Sequence, residues 1–305
     1  MNPDIPLTFQ PLTGSYEPSG IQQLPDGRFL VVEDEKQHAL SLLVIHASGS
    51  VSRTPLLVED AGWKLDDLEG VALDQLGFIY ALTSHSRDDD GDEKKSRDKL
   101  VRFRVEGDRV LAPKVVSGLK RALTEKHPVL AVAARIQNVK TGGGLNIEAL
   151  EISPDQQRLL IGFRSPLQGH RALVASVENP SGIFDADEAP RISASLTALD
   201  LGGNGIRGMS FIPSLGGYLI ISGPSTREPQ HFELWFWSGQ ADASARRVTV
   251  AGIPGFERAE GVSPAVIDGA QRIIIVSDDG SREEGRFARY LLLDPEQLQI
   301  APQAL

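Results

Sequence analysis

Short runs of alternating apolar and polar residues come in pairs along this chain, and the pair recurs. Five stretches share the pattern: EPSGIQQLPDGRFLVVEDE, DLEGVALDQLGFIYALTSHS, NIEALEISPDQQRLLIGFRSP, GIRGMSFIPSLGGYLIISGPS and AEGVSPAVIDGAQRIIIVSDDG. Each opens on a small or charged residue, usually followed by Gly. Alternating apolar positions follow, then a turn at PDG, QLG, PDQ, SLGG or DGA, then a second apolar run. Period-two alternation on both sides of such a turn predicts a β-hairpin, because successive strand side chains point to opposite faces. The equivalent opening residues are Ser19, Glu69, Glu148, Arg207 and Glu260, spaced by 50, 79, 59 and 53 residues, and spacings of this order mark repeat architectures.

A third strand-like run follows each hairpin: ALSLLVIH, KLVRFRVEG, RALVASVEN, FELWFWSG and RFARYLLLD. A fourth segment precedes each one: TPLLVED, PKVVSGL, SLTALDL, RRVTVAG and, at the N-terminus, PLTFQPLTG. Four antiparallel strands per unit, repeated radially, predict an all-β fold, a β-propeller, and the single domain spans 1–305. The last unit stops after its third strand while the chain begins with an unattached fourth-type strand at residues 6–13, so the N-terminal strand is expected to close the ring and remove two sheet edges. Five blades are preferred, and six are open if 109–145 hides a degenerate blade. Within 117–144, Val129, Val132, Ala133 and Ile136 fall at helical spacing after Pro128 and before GGG, which predicts a helical insertion near 117–140. In FELWFW, Phe232, Leu234 and Phe236 alternate with Trp235 and Trp237, as expected of a strand packed between two neighbouring blades.

Charge and composition narrow the function classes. The net charge is −10, from 31 basic and 41 acidic residues, and no basic patch offsets it, so a phosphate backbone would be repelled and no nucleic-acid partner is expected. No apolar stretch reaches the ~18 residues of a membrane span. The opening MNPDIPLTFQPLTG has neither a basic n-region nor an apolar core, so the expectation is a soluble protein in the cytoplasm. The chain has no Cys, which removes disulfides, thiolate nucleophiles and Cys-bound zinc. Nothing in it sets an oligomeric state.

Candidate chemistry gathers at one rim of the propeller. The innermost strand of a blade starts where its hairpin partner ends, so Ser19, Glu69, Glu148, Arg207 and Glu260 should share a face with Glu33 and Asp34, Ser84 and His85, Arg164, Ser222, and Asp278 and Asp279. Two residues earlier stand Glu17, Asp67, Asn146, Gly205 and Arg258, which should face the same way, nearer the mouth. Carboxylates converging from different blades are either solvated and balanced by Arg164, Arg207 and Arg258 or joined by a hard cation. Calcium takes ~6–8 oxygen ligands, and Glu69, Glu148, Glu260, Asn146 and Asp278 would suit it. Arg164, Arg207, His85 and Ser84 are the candidates for binding a small anionic or polar molecule, and His85 is also a candidate general base or electrophile.

Other motifs fail on context. The loop SRDDDGDEKKSRD at 86–98 places Ser and Arg where an EF-hand needs acidic first and twelfth positions, so it reads as a solvated charged loop. GNGIRG at 203–208 leads into a hairpin rather than a helix and is no dinucleotide site. G-x-S-x-G and H-E-x-x-H are absent, and the only N-x-S triplet, Asn179-Pro180-Ser181, contains proline.

With EPSG and VVEDE, DLEGVAL and TSHSR, NIEAL and IGFRSP, IRGMSF and ELWFW, and EGVS and VSDDGS in this order, the chain resembles an uncharacterised bacterial β-propeller family, domain of unknown function 3616. The resemblance implies the propeller and no activity. More distantly, the E-G openings are similar to esterase-like phytase propellers and to calcium-dependent lactonase and phosphotriesterase propellers. That similarity implies Glu69, Glu148, Glu260 and Asn146 around a metal, Arg164 and Arg207 on an anionic group, and hydrolysis of a phosphate ester or lactone. Arg207 and Ser19 depart from it, and the rival expectation is a non-enzymatic ligand- or protein-binding scaffold with a charge-balanced channel.

Overall fold

The computed structural model describes residues 7–34, 39–46, 49–58, 63–226 and 231–303. Each expected hairpin forms and acquires its outer strands. Blade one is Pro18–Gln23, Phe29–Glu33, Leu40–Ile45 and Val51–Pro55. Blade two is Leu68–Leu73, Ile79–Thr83, Leu100–Glu106 and Arg109–Val116. Blade three is Asn146–Ile152, Leu159–Ser165, Ala172–Val177 and Thr197–Leu199. Blade four is Gly205–Ile212, Gly217–Gly223, Glu233–Trp237 and Arg246–Val250. Blade five is Ala259–Ile267, Ala270–Ser277 and Arg289–Leu293. Its outer strand comes from the other end of the chain: Gln10–Pro11 pairs antiparallel with Tyr290 and Arg289. The innermost strands touch in succession and the fifth returns to the first, so the protein is a five-bladed β-propeller closed by its N-terminal strand. The start of the expected strand at residue 6, and Glu59 and Asp60 of TPLLVED, lie outside the described residues.

Residues 109–145 hold no sixth blade. They contain the outer strand of blade two and three helices, α1 (Leu119–Lys126), α2 (Pro128–Ala134) and α3 (Val139–Gly142). Pro128 opens α2 as expected, where its missing N–H costs no helical hydrogen bond. The buried stripe differs from the expected one. Leu130 and Ala133 are buried with Leu119 and Leu123 of α1, whereas Val132 is 64% exposed, because α2 rolls its Leu130 face onto blades two and three. Two further elements carry no periodic sequence signal: α4 (Pro180–Ala186), and Leu298–Ile300, which adds a fifth strand to the edge of blade four.

The core is divided among the blade interfaces. Five apolar clusters fill the gaps between blades one and two, two and three, three and four, four and five, and five and one. FELWFW behaves as its alternation implies. Leu234 and Phe236 enter the blade four to five cluster, and Trp237 and Trp235 the blade three to four cluster.

One local irregularity repeats in every blade. The pairing of the two inner strands slips between Pro18 and Gly20, Leu68 and Gly70, Ile147 and Ala149, Ile206 and Gly208, and Ala259 and Gly261. The residue left out of the ladder is Ser19, Glu69, Glu148, Arg207 or Glu260, so each lies on a β-bulge, a device that re-aims a side chain. The glycine that follows has a packing reason. A Cβ at Gly70 would sit 2.7 Å from the backbone nitrogen of Leu150 in blade three, and one at Gly208 would collide with the carbonyl of Glu260. Four of the five blades carry glycine there, which permits this close approach, and blade three carries the small Ala149.

Candidate functional site

The five bulged residues meet on the propeller axis and line one cavity of about 530 Å³. Two residues further along each strand, Ile21, Val71, Leu150, Met209 and Val262 line the narrow axis beneath it, and all five are buried. A polar ring thus rests on an apolar plug, and the cavity is a cup with a floor. Glu17, Asp67 and Asn146 join the walls as period two requires, with Asp34, Arg164 and Asp278 from the ends of the second strands. Arg258 lines an adjoining smaller space.

The blade three to five side is an arginine clamp. Arg207 and Glu148 are 8% and 3% exposed. Arg207 Nε lies 2.9 Å from Glu148 Oε2, a charge contact rather than an aligned hydrogen bond, and its Nη2 donates to Glu260 Oε1. Arg164 Nη1 donates to Glu148 Oε1 at 3.1 Å and its Nε to the Pro224 carbonyl at 3.0 Å. Asn146 Nδ2 donates to Glu148 Oε1 at 2.9 Å, and the buried Asn146 Oδ1 has no hydrogen-bond donor among the described residues. Burial pushes Asp278 up to about 7; Arg207 and Arg258 pull it down, and Glu17 and Glu148 push it up.

The blade one to two side is acidic. Asp67, in the left-handed region at φ 65°, accepts hydrogen bonds from Ser84 Oγ and Ser86 Oγ and pairs with Arg97 Nη1 at 2.9 Å. Loss of surrounding water and the neighbouring Asp67 carboxyl push Asp34 up to about 8 against the pull of Arg97. Asp34 keeps a solvent-facing edge at the mouth, so water screens part of this effect. Burial raises the Glu69 carboxyl well above the ordinary range, and Glu148, Asp67 and Asp34 add to it while Arg207 opposes it.

Not every expected residue reaches the cavity. Ser84 is buried behind it and acts on Asp67. His85 does not line it: the ring is fully buried, Nδ1 donates to the Thr83 carbonyl at 2.6 Å, Nε2 lies 3.3 Å from Asp98 Oδ1, and burial lowers its pKa. A base or electrophile there has no substrate to touch. Glu33 turns away to Ser15 Oγ, the Tyr16 backbone and Arg53. Ser222 accepts from Trp235 Nε1, and Asp279 binds Ser277 and Arg289. The 86–98 loop, expected to be solvated, instead sends Arg97 to Asp66 and Asp67 and puts Asp88 and Asp89 at the mouth.

The five candidate calcium ligands fit an ion poorly. Arg207 occupies the place between Glu148 and Glu260 that a cation would take, and among the described residues no three carboxylate or histidine side chains are grouped to hold a metal ion.

No protein-family model matches the chain, and no curated protein matches it. Solved structures do match in fold. A glycoside hydrolase family 43 β-1,3-galactosidase bound to galactodeoxynojirimycin superposes with a TM-score of 0.50 at 8% identity, over 97% of this chain and 99% of the other. The PQQ-bound aldose sugar dehydrogenase of Streptomyces coelicolor gives 0.44 at 15% identity over 94% and 99%. The periplasmic gluconolactonase of Pseudomonas aeruginosa gives 0.41 at 12% over 93% and 78%. At such identities the likeness concerns the fold alone. Among the described residues no helix is long and apolar enough to cross a membrane.

Proposed function

We propose that the cup is the active site of a hydrolase for a small, hydroxyl-bearing ester or lactone, with Asp34 and Asp67 as its general acid and base. The observation that carries this reading is the placing of two neighbouring carboxyls in one cavity wall in unlike surroundings, Asp34 raised to about 8 and Asp67 fixed by two serines and an arginine. Two neighbouring carboxyls in unlike surroundings divide acid and base roles between them. Asp67 would take a proton from water as the water oxygen attacks the acyl carbon. Asp34 would give its proton to the leaving oxygen as the acyl carbon–oxygen bond breaks. Asn146 Oδ1 supports a substrate hydroxyl: a buried acceptor without a donor costs ~1–3 kcal/mol, which an incoming O–H would relieve.

No step is assigned to calcium, because the clamp on Glu148 and Glu260 leaves it no ligand set there. The scaffold reading has one observation in its favour, the charge balance that Arg207 supplies. A panel of lactones, aryl esters, phosphomonoesters and phytate separates the two. The hydrolase reading expects turnover of at least one compound, reduced about a hundredfold or more by Asp67→Asn. Binding without turnover across the panel would leave the scaffold standing.

A further inference from the structure

A second space, of about 240 Å³, opens beside the cup on the side of blades four and five. Arg164, Arg207, Glu260 and Asp278 border both spaces, so the two communicate along one wall. Arg258 and Phe232 belong to the smaller one. Three guanidiniums therefore face two carboxyls in a protein whose net charge is −10.

The three arginines are not equivalent. Arg207 is taken up by Glu148 and Glu260. Arg164 commits Nε and Nη1 and, among the described residues, has no hydrogen bond from Nη2. Arg258 is exposed, and its guanidinium makes no ion pair within 4.0 Å among the described residues, though it acts electrostatically on Asp278. Two guanidiniums thus border this space with donors that no carboxylate takes up among the described residues. Phe232, whose ring centroid lies 5.5 Å from Arg207 Cζ, closes one side with an apolar face.

We propose that this side cavity binds an oxyanion group of the substrate, a carboxylate or a phosphate, between Arg164 and Arg258. The planar guanidinium fork matches either group with paired hydrogen bonds. The substrate is then bipartite: its anion rests in the side cavity while the bond to be cleaved reaches the cup. Only this second half rests on the hydrolase reading. Asp278 makes anion binding depend on pH. It faces Arg207, Arg258, Glu17 and Glu148, and an arriving anion raises its proton affinity, so binding tightens as Asp278 takes up a proton near pH 7.

Isothermal titration of the whole protein with inorganic phosphate and, separately, with acetate tests this. At least one anion binds the wild type. Arg258→Asn weakens it about tenfold or more, the loss of one charged hydrogen-bonding partner, and Arg258→Lys weakens it less. Asn is chosen because residue 258 has φ 58°, a conformation Asn tolerates. Tighter phosphate binding points to a phosphomonoester and tighter acetate binding to a carboxylate. Acetate, ionised throughout, binds more tightly at about pH 6 than at about pH 8. Failure of both anions to bind, or equal binding by wild type and Arg258→Asn, overturns the proposal. Equilibrium binding needs no turnover, and the anion should bind Asp67→Asn as it binds wild type, so this outcome is separate from that of the hydrolase reading.

Discussion

The two sides of the cup use one backbone device and reach opposite electrostatic states. On the side of blades three to five, the bulges of Glu148 and Glu260 flank the bulge that carries Arg207, and Arg207 together with Arg164 balances the two carboxylates. On the side of blades one and two, the bulges carry Ser19 and Glu69, and the acids around them outnumber Arg97, so the proton affinities of Asp34 and Glu69 are raised. A single substitution in a repeated frame separates a structural clamp from a pocket of raised proton affinity.

Removing Arg207 should separate the two sides most strongly. Arg207→Met leaves two buried carboxylates without their partner and should destabilise the protein by about 3–5 kcal/mol in urea denaturation. A loss below 1 kcal/mol would show that the clamp is not what holds that side. Next, Asp67→Asn should lower kcat/KM about a hundredfold on whichever substrate the panel finds, with little change in melting temperature.

The acidic side should respond to neutralisation in the opposite sense. Glu69→Gln removes a carboxyl whose ionisation its neighbours oppose and should stabilise by about 1 kcal/mol toward the alkaline end of the range, read as a higher melting temperature at about pH 8. The same crowding sets the pH dependence. Asp34 and Asp278, ordinarily at 3.8, are raised to about 8 and about 7 in the folded protein, so the fold holds more protons than the unfolded chain across that interval. Stability therefore falls as pH rises from about 4 to 8, the reverse of the trend for salt-bridged carboxylates. Melting curves across that interval should show the decline, shallower in Glu69→Gln; a rise with pH would contradict it. The smallest expected effect is that of calcium. Added calcium or chelator should leave the melting temperature unchanged, and a calcium-dependent rise lost in Glu69→Gln/Glu148→Gln would restore an ion to the axis.

The sequence revealed the architecture because alternation is a local property. Hairpins, third strands and the N-terminal closure were all legible within short windows, and so was the column from Ser19 to Glu260. The bulge was not, since one extra residue in a ladder appears only when two strands are aligned. His85 illustrates the cost. It ends the second strand beside the rim, but with φ 56° it leaves the strand path and its ring turns into the interior. Arg97 was missed for a different reason: it comes from an insertion without period, and its pairing with Asp67 spans 30 residues that carry no mutual signal. The plug of Ile21, Val71, Leu150, Met209 and Val262 was available by counting two positions onward from each opening residue.

Pairing Gln10 with Tyr290 also orders events during folding. The strand Gln10–Pro11 pairs with residues about 280 positions further along the chain, and until the two meet the third strand of blade five has a bare outer edge. Contacts this distant in sequence are slow to form, and until they do that bare edge is exposed to neighbouring chains.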